Sequence, residues 1–194
     1  MKAIGKTKFL NFIQRFAFPC ILVINQPLFA GELQQSDVVY KEGVYLLNFA
    51  AYLDGQFSKV YTLLTDYENL HRLNNDLLDS KILSKNSYEI YRLQFIARTC
   101  ILMFCFKKTL VVDVEELSKG EFNATVITEL GDFSSGHATW HLTSIGIQQT
   151  HVRFEGVVQP NFWLPPIIGS VLIRHKIRKL SLESIQQIEH LVTI

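Results

Sequence analysis

What the chain lacks narrows it first. Neither sign of charge dominates: 19 Lys and Arg stand against 18 Asp and Glu in 194 residues, a net charge of +1. A nucleic-acid partner calls for a basic surface, and so balanced a composition does not suggest one. The apolar run Phe16–Ile24 falls short of the ~20 residues that cross a bilayer. No G-x-S-x-G elbow, Walker loop, G-x-G-x-x-G turn or paired-carboxylate signature is present, so no local motif points to nucleophilic or nucleotide chemistry or to a cofactor. There are no repeats and no low-complexity tracts.

What is present suits a globular protein: 48% hydrophobic and 19% charged residues. Lys2, Lys6, Lys8 and Arg15 fall in the first 30 residues without an acid, which leaves 15 basic against 18 acidic side chains, about −3, in the rest. Those four cations precede Phe16–Ile24, and Asn25-Gln26-Pro27 breaks the run before Leu28-Phe29-Ala30. This is the order of a secretory signal, basic then apolar then a small residue at the cut. It predicts cleavage after Ala30 and export, to the periplasm, of a single domain over 31–194. The competing reading is a short membrane-bound N-terminal helix. Cys20 has no lipobox-like Leu three residues before it, which argues against a lipoprotein.

Cys100 and Cys105 remain, and two cysteines in an exported chain make one disulfide. Along one straight strand five residues span ~16 Å and the pair could not bond. A hairpin with Ile101-Leu102-Met103-Phe104 at its tip would bring them together. In a cytosolic chain they would instead be two buried thiols.

Tyr45, Leu47, Phe49, Ala51 and Leu53 alternate along a strand that ends at Asp54-Gly55. Phe57, Val60, Tyr61 and Leu64 have helical spacing, and a second short helix runs over Tyr67–Leu73 to Asn74-Asn75. Strands follow at Ile82–Leu83, Tyr88–Cys100, Cys105–Leu117, Phe122–Thr128 and His137–Ser144, with Gly131–Gly136 as a turn, and the last holds Val152, Phe154 and Val158. From Pro165-Pro166 the period changes: Ile173, Ile177, Leu180, Ser184, Ile188 and Leu191 recur at three and four. The order is strand, two short helices, about six antiparallel strands, one long helix. A curved sheet with only one long amphipathic helix to cover it leaves a gap that can hold a ligand.

Val60–Leu70 (VYTLLTDYENL) resembles a segment of the SRPBCC superfamily, and more closely of its polyketide cyclase/dehydrase and lipid-transport group, which includes coenzyme Q-binding proteins. Gly131-Asp132-Phe133, Gly136, Trp140, Leu142, Thr150 and Phe154 fit the same pattern, as does Gln159–Gly169 leading into the last helix. Cys100 and Cys105 look like the C-x4-C of some exported members. The resemblance runs from about Leu46 to Leu191. It implies an α+β helix-grip (START-like) fold, a curved antiparallel sheet wrapped around the C-terminal helix with two short helices after the first strand. It carries over no catalytic residue, and the superfamily holds carriers and enzymes alike.

The candidate cavity residues are Trp140, Phe154, Ile173, Ile177 and Leu180, with Arg92 and His141 as polar points. Arg92 shares a strand face with Gln94 and Arg98, either solvated or holding a ligand's polar head. His137 and His141 have the spacing of a metal pair on a helix, but on a strand they stand ~13 Å apart and cannot share an ion, so no metal is expected. Asp66 reads as a turn residue before it reads as an acid catalyst. Leu102, Met103 and Phe104, with Phe162 and Trp163, form either an exposed apolar rim for ligand entry and transient membrane contact, or loops tucked onto the helix. Two functions stay open. One is a carrier or binder of a hydrophobic small molecule (a lipid, isoprenoid quinone or polyketide-like compound). The other is a cyclase or aromatase, which needs an acid/base pair in the cavity.

Overall fold

Period-two alternation builds most of the sheet. In the computed structural model, which describes residues 32–162 and 170–193, eight strands form one antiparallel sheet: β1 (Glu32–Lys41), β2 (Val44–Asp54), β3 (Leu77–Lys85), β4 (Tyr91–Ile101), β5 (Phe104–Ser118), β6 (Glu121–Val126), β7 (Phe133–Ser144) and β8 (Gln149–Pro160). Helix α1 (Phe57–Thr65) and a 3-10 turn (Leu70–Leu73) lie between β2 and β3, and α2 spans Ser170–Thr193. The spatial order is β1-β2-β8-β7-β6-β5-β4-β3. Every neighbouring pair except β2 and β8 is a hairpin, as short connections require. The α1 segment therefore carries the chain from β2 across to the opposite edge of the sheet. This is the helix-grip fold.

β1 is absent from the sequence reading for a physical reason. It is an edge strand in which only Val38 is buried, so its own pattern is polar and β2 dictates its pairing. The two short helices thus follow the second strand, and the second of them is a 3-10 turn rather than an α-helix. The Gly131–Gly136 stretch is less a turn than expected, because β7 already starts at Phe133.

On β2 the inward set is the expected one, Tyr45, Leu47, Phe49, Ala51 and Leu53, with Leu53 almost fully buried. Helix α2 buries Ile173, Ile185, Ile188 and Val192. Its far half packs with Val60 of α1, Leu73 of the 3-10 turn and Leu53 of β2 in one cluster. Its first turns join Val38, Tyr45 and the tip end of the β4–β5 hairpin in another. Lys176 ties α2 to Asp76 at the start of β3, 2.9 Å apart. Between these anchored ends the helix stands over the sheet without filling it.

Candidate functional site: a two-chambered apolar cavity

The cavity arises from which side chains the register places in line. One row across the sheet is aromatic: Phe122 of β6, Trp140 of β7, Phe154 of β8 and Phe49 of β2 are successive partners. Trp140 and Phe154 have ring centroids 5.0 Å apart, and Phe154 and Phe49 5.6 Å. The next row inward is small: Ala124 pairs with Ala138, and Ala138 with Gly156. Three of the smallest side chains thus stand side by side where large ones would reach the helix. The result is a cavity of about 520 Å³ between sheet and helix. That lies within the ~300–1,000 Å³ typical of small-molecule sites.

Leu93, Phe95, Leu110 and Val112 close it on one side, and Leu70, Leu73 and Ile188 on the helical side. A second chamber of about 330 Å³ adjoins it between β2 and α2, lined by Phe49, Val152, Ile177, Leu180 and Ile185. Asn74, Trp140, Phe154, Ser184 and Ile188 border both chambers. An apolar wall of this kind gains by covering a hydrophobic guest, at roughly 25 cal/mol for each Å² removed from water.

The wall's polar groups are few. Asn74 Nδ2 donates to Ser184 Oγ at 3.0 Å, and Asn74 Oδ1 accepts the Asp76 N–H at 2.8 Å, so this pair is fixed where the chambers meet. Tyr67 lies on the wall of the larger chamber, its ring 5.1 Å from that of Tyr91. Burial above all, then the nearby Glu116, pushes the Tyr67 phenol well above its ordinary range, so it stays protonated as a neutral donor. His137 borders the chamber while remaining exposed. No carboxylate, lysine or arginine lies on this wall among the described residues.

The sequence candidates divide. Trp140 and Phe154 are on the wall of both chambers, and Ile177 and Leu180 on that of the smaller. Ile173 is not on a wall; it packs into the cluster with Val38 and Tyr45. Arg92 faces outward, because Leu93 and Phe95 beside it take the inward positions. Its guanidinium forks onto Asp113, its partner on β5, with both hydrogen bonds at 2.7 Å. His141 is outward too, since Trp140 and Leu142 point in; its Nδ1 is 3.7 Å from Glu121. Asp66 ends α1 and accepts both carboxylate bonds from Asn69, the turn role. Among the described residues no cluster of His, Cys, Asp and Glu could hold a metal ion.

At the end of the β4–β5 hairpin, Cys100 and Cys105 are direct cross-strand partners, Cα atoms 4.0 Å apart, and form a disulfide. Both are exposed rather than buried. Leu102 and Met103 make the two-residue tip and project into solvent, whereas Phe104 turns back onto the α2 cluster. Phe162 packs against Phe106 and Phe133. Trp163 lies outside the described residues, as does the 1–30 segment read as a secretory signal. Tyr67, Asn74 and Ser184 were not among the candidates. The small row escapes the sequence as well, because it exists only through the register.

A sequence profile of the polyketide cyclase/dehydrase and lipid-transport family matches residues 53–182. The chain belongs to this family. No curated protein matches the sequence. Solved structures resemble this chain at low identity. A START superfamily protein from Mycobacterium smegmatis superposes with a TM-score of 0.60 at 13% identity, over 76% of this chain and 97% of that one. The Zhui aromatase/cyclase from Streptomyces sp. R1128 gives 0.58 at 8% identity, over 76% and 92%. A conserved protein from Geobacillus kaustophilus gives 0.58 at 14% identity, over 75% and 93%. At such identities the likeness is one of fold. Several motif positions of this family member have structural duties: Thr150 donates to Gly55 O at 2.8 Å in full burial, and Gly136 leaves no room for a Cβ against Val126 and the Val157 carbonyl.

Proposed function

We propose that this chain is a non-enzymatic binder or carrier that encloses an elongated hydrophobic small molecule between α2 and the sheet, taken up past the β4–β5 hairpin. The observation that carries this reading is the row Ala124–Ala138–Gly156, which opens an apolar cavity of about 520 Å³ beneath a single helix. The adjoining chamber along α2 favours a long ligand, with Asn74, Ser184 and Tyr67 available to a polar group on it. A cyclase would need an acid and a base facing the substrate. The ionisable groups bordering this wall are a Tyr67 held protonated and an exposed His137, which fit orientation of a ligand better than proton transfer. The solvent-exposed Cys100–Cys105 disulfide is consistent with an exported chain, where such bonds persist.

The test is to fill the space. Ala138→Phe places a ring where the small row leaves none, and a void accepts volume that a packed core rejects. We expect the parent to bind the apolar dye anilinonaphthalene sulfonate saturably at one site per chain. The variant should bind at least about tenfold more weakly at an undiminished melting temperature. Equal dye affinity in the two proteins would overturn the assignment of the cavity.

A further inference from the structure

The β4–β5 hairpin tip breaks two local rules at once. Leu102 is 65% and Met103 83% exposed, at the tip of the β4–β5 strand pair, while their neighbours Ile101 and Phe104 pack inward against α2. Leu102 also has φ +57° at the first position of a two-residue turn between the partners Ile101 and Phe104. Glycine or asparagine sits there at little penalty, while leucine is strained. Neither packing nor backbone geometry favours this residue, so its apolar side chain is explained by contact with something outside the chain.

The charge around the tip says what that something is. Residues 97–112 and 170–182 contain Arg98, Lys107, Lys108, Arg174, Lys176, Arg178 and Lys179, and no Asp or Glu. The two segments share one end of the molecule, since Ile101, Phe104 and Phe106 pack in one cluster with Ile173 and Ile177. Lys108 is paired with Asp132, Lys176 with Asp76, and Lys179 lies near Glu183. Arg98, Lys107, Arg174 and Arg178 are exposed and have no carboxylate partner among the described residues. On α2, Arg174 and Arg178 share a stripe with Val171, itself 73% exposed. Exposed acids at this end are Glu42, in the β1–β2 turn, and Glu129, in the β6–β7 connection. Acids gather at the other end: Glu115, Glu116 and Glu121 near the β5–β6 turn, and Glu189 bound to the Asp54 N–H. An apolar tip set among unpaired cations is the pattern of an anionic membrane surface, which takes apolar side chains below its headgroups and draws cations to them.

We infer that the Leu102–Met103 tip, with the first two turns of α2, docks this protein on a bilayer containing anionic phospholipid. The inference rests on the proposed binding function for its purpose: Leu47 and Val158 belong both to the wall of the larger chamber and to the cluster beneath the tip, so a docked hairpin sets that wall next to the lipid.

The experiment is co-sedimentation of the full chain with vesicles of phosphatidylcholine alone or mixed with phosphatidylglycerol. Parent and variants are of equal length, so any contribution of residues 1–30 cancels. The parent should bind the mixed vesicles, and more weakly as salt rises. Leu102→Asn with Met103→Ser should weaken that binding at least about tenfold, while thermal stability stays level or rises because asparagine suits the left-handed turn. Arg174→Gln with Arg178→Gln should weaken binding to mixed vesicles about tenfold and leave residual binding to neutral ones unchanged. Equal binding by the parent and the tip variant, or equal parental binding to both lipids, overturns the inference. So does a dimer in solution that the tip variant dissolves without any vesicle binding, which would assign the tip to a second copy. Dye uptake by the cavity is measured without vesicles, so loss of docking with uptake intact refutes this inference alone, and the converse refutes the binding function alone.

Discussion

Gly131 and Asp132 form a close-packed corner against β5. A Cβ on Gly131 would stand 2.9 Å from the Thr109 carbonyl and 3.3 Å from the Val111 nitrogen, and backbone cannot step aside as a flexible side chain would. That close approach lets the Asp132 carboxylate accept the Thr109 N–H at 2.7 Å, with Lys108 at 3.2 Å. The Thr109 bond first, and Lys108 after it, hold the Asp132 pKa below its usual range against the opposing effect of partial burial. A carboxyl with a depressed folded pKa binds fewer protons folded than unfolded. Its contribution is therefore complete above the unfolded value and fades as pH falls through the folded one. The parent should lose stability below about pH 4 more steeply than Asp132→Asn, which has no charge there to lose. Urea midpoints measured from about pH 3 to about pH 6 check this. Parallel curves would remove Asp132 as a contributor. Its side chain is about a third exposed, so solvent screening keeps the difference modest.

Among the elements, the β4–β5 hairpin is clamped 5 residues apart by its disulfide. Cys100→Ser with Cys105→Ser should lower stability by an amount at the low end of the usual ~2–4 kcal/mol, because so short a loop restrains little unfolded-chain entropy. Reduction should add the mass of about two hydrogens before any alkylation, and freely alkylated thiols in the unreduced protein would contradict the bond. How far these elements can be read from sequence depends on whether each carries its own pattern. β2 and β8 alternate strongly enough to announce both faces, and α2 shows its buried stripe by spacing alone, although Ile185 beside Ser184 goes unmarked. β1 shows nothing, because an exposed edge is patterned by its neighbour. The site is legible to the same degree. Trp140 points inward by parity with Leu142. By contrast, an asparagine after a helical turn and a serine on a helix stripe look alike whether or not they meet, and Asn74 and Ser184 meet only once α2 is laid down. Arg92 shares its face with Gln94 in any strand, but only the pairing with Asp113 says which way that face looks.

The whole molecule is polarised along its long direction. At one end an apolar tip stands among cations, at the other Glu115, Glu116 and Glu121 lie near the β5–β6 turn, and a cavity runs between, bounded by one helix and the small row of the sheet. Among the described residues no helix is long and apolar enough to cross a membrane. A cavity of this volume lined by leucine, valine and aromatic rings is poorly solvated when empty, so the protein should keep an apolar guest through gentle purification. Native mass spectrometry of the full chain from an exporting host, with solvent extraction of what it holds, tests this most directly. The account predicts one apolar molecule per chain, retained by the parent and missing from Ala138→Phe. A parent mass equal to the polypeptide alone, with nothing lipid-like in the extract, would contradict it.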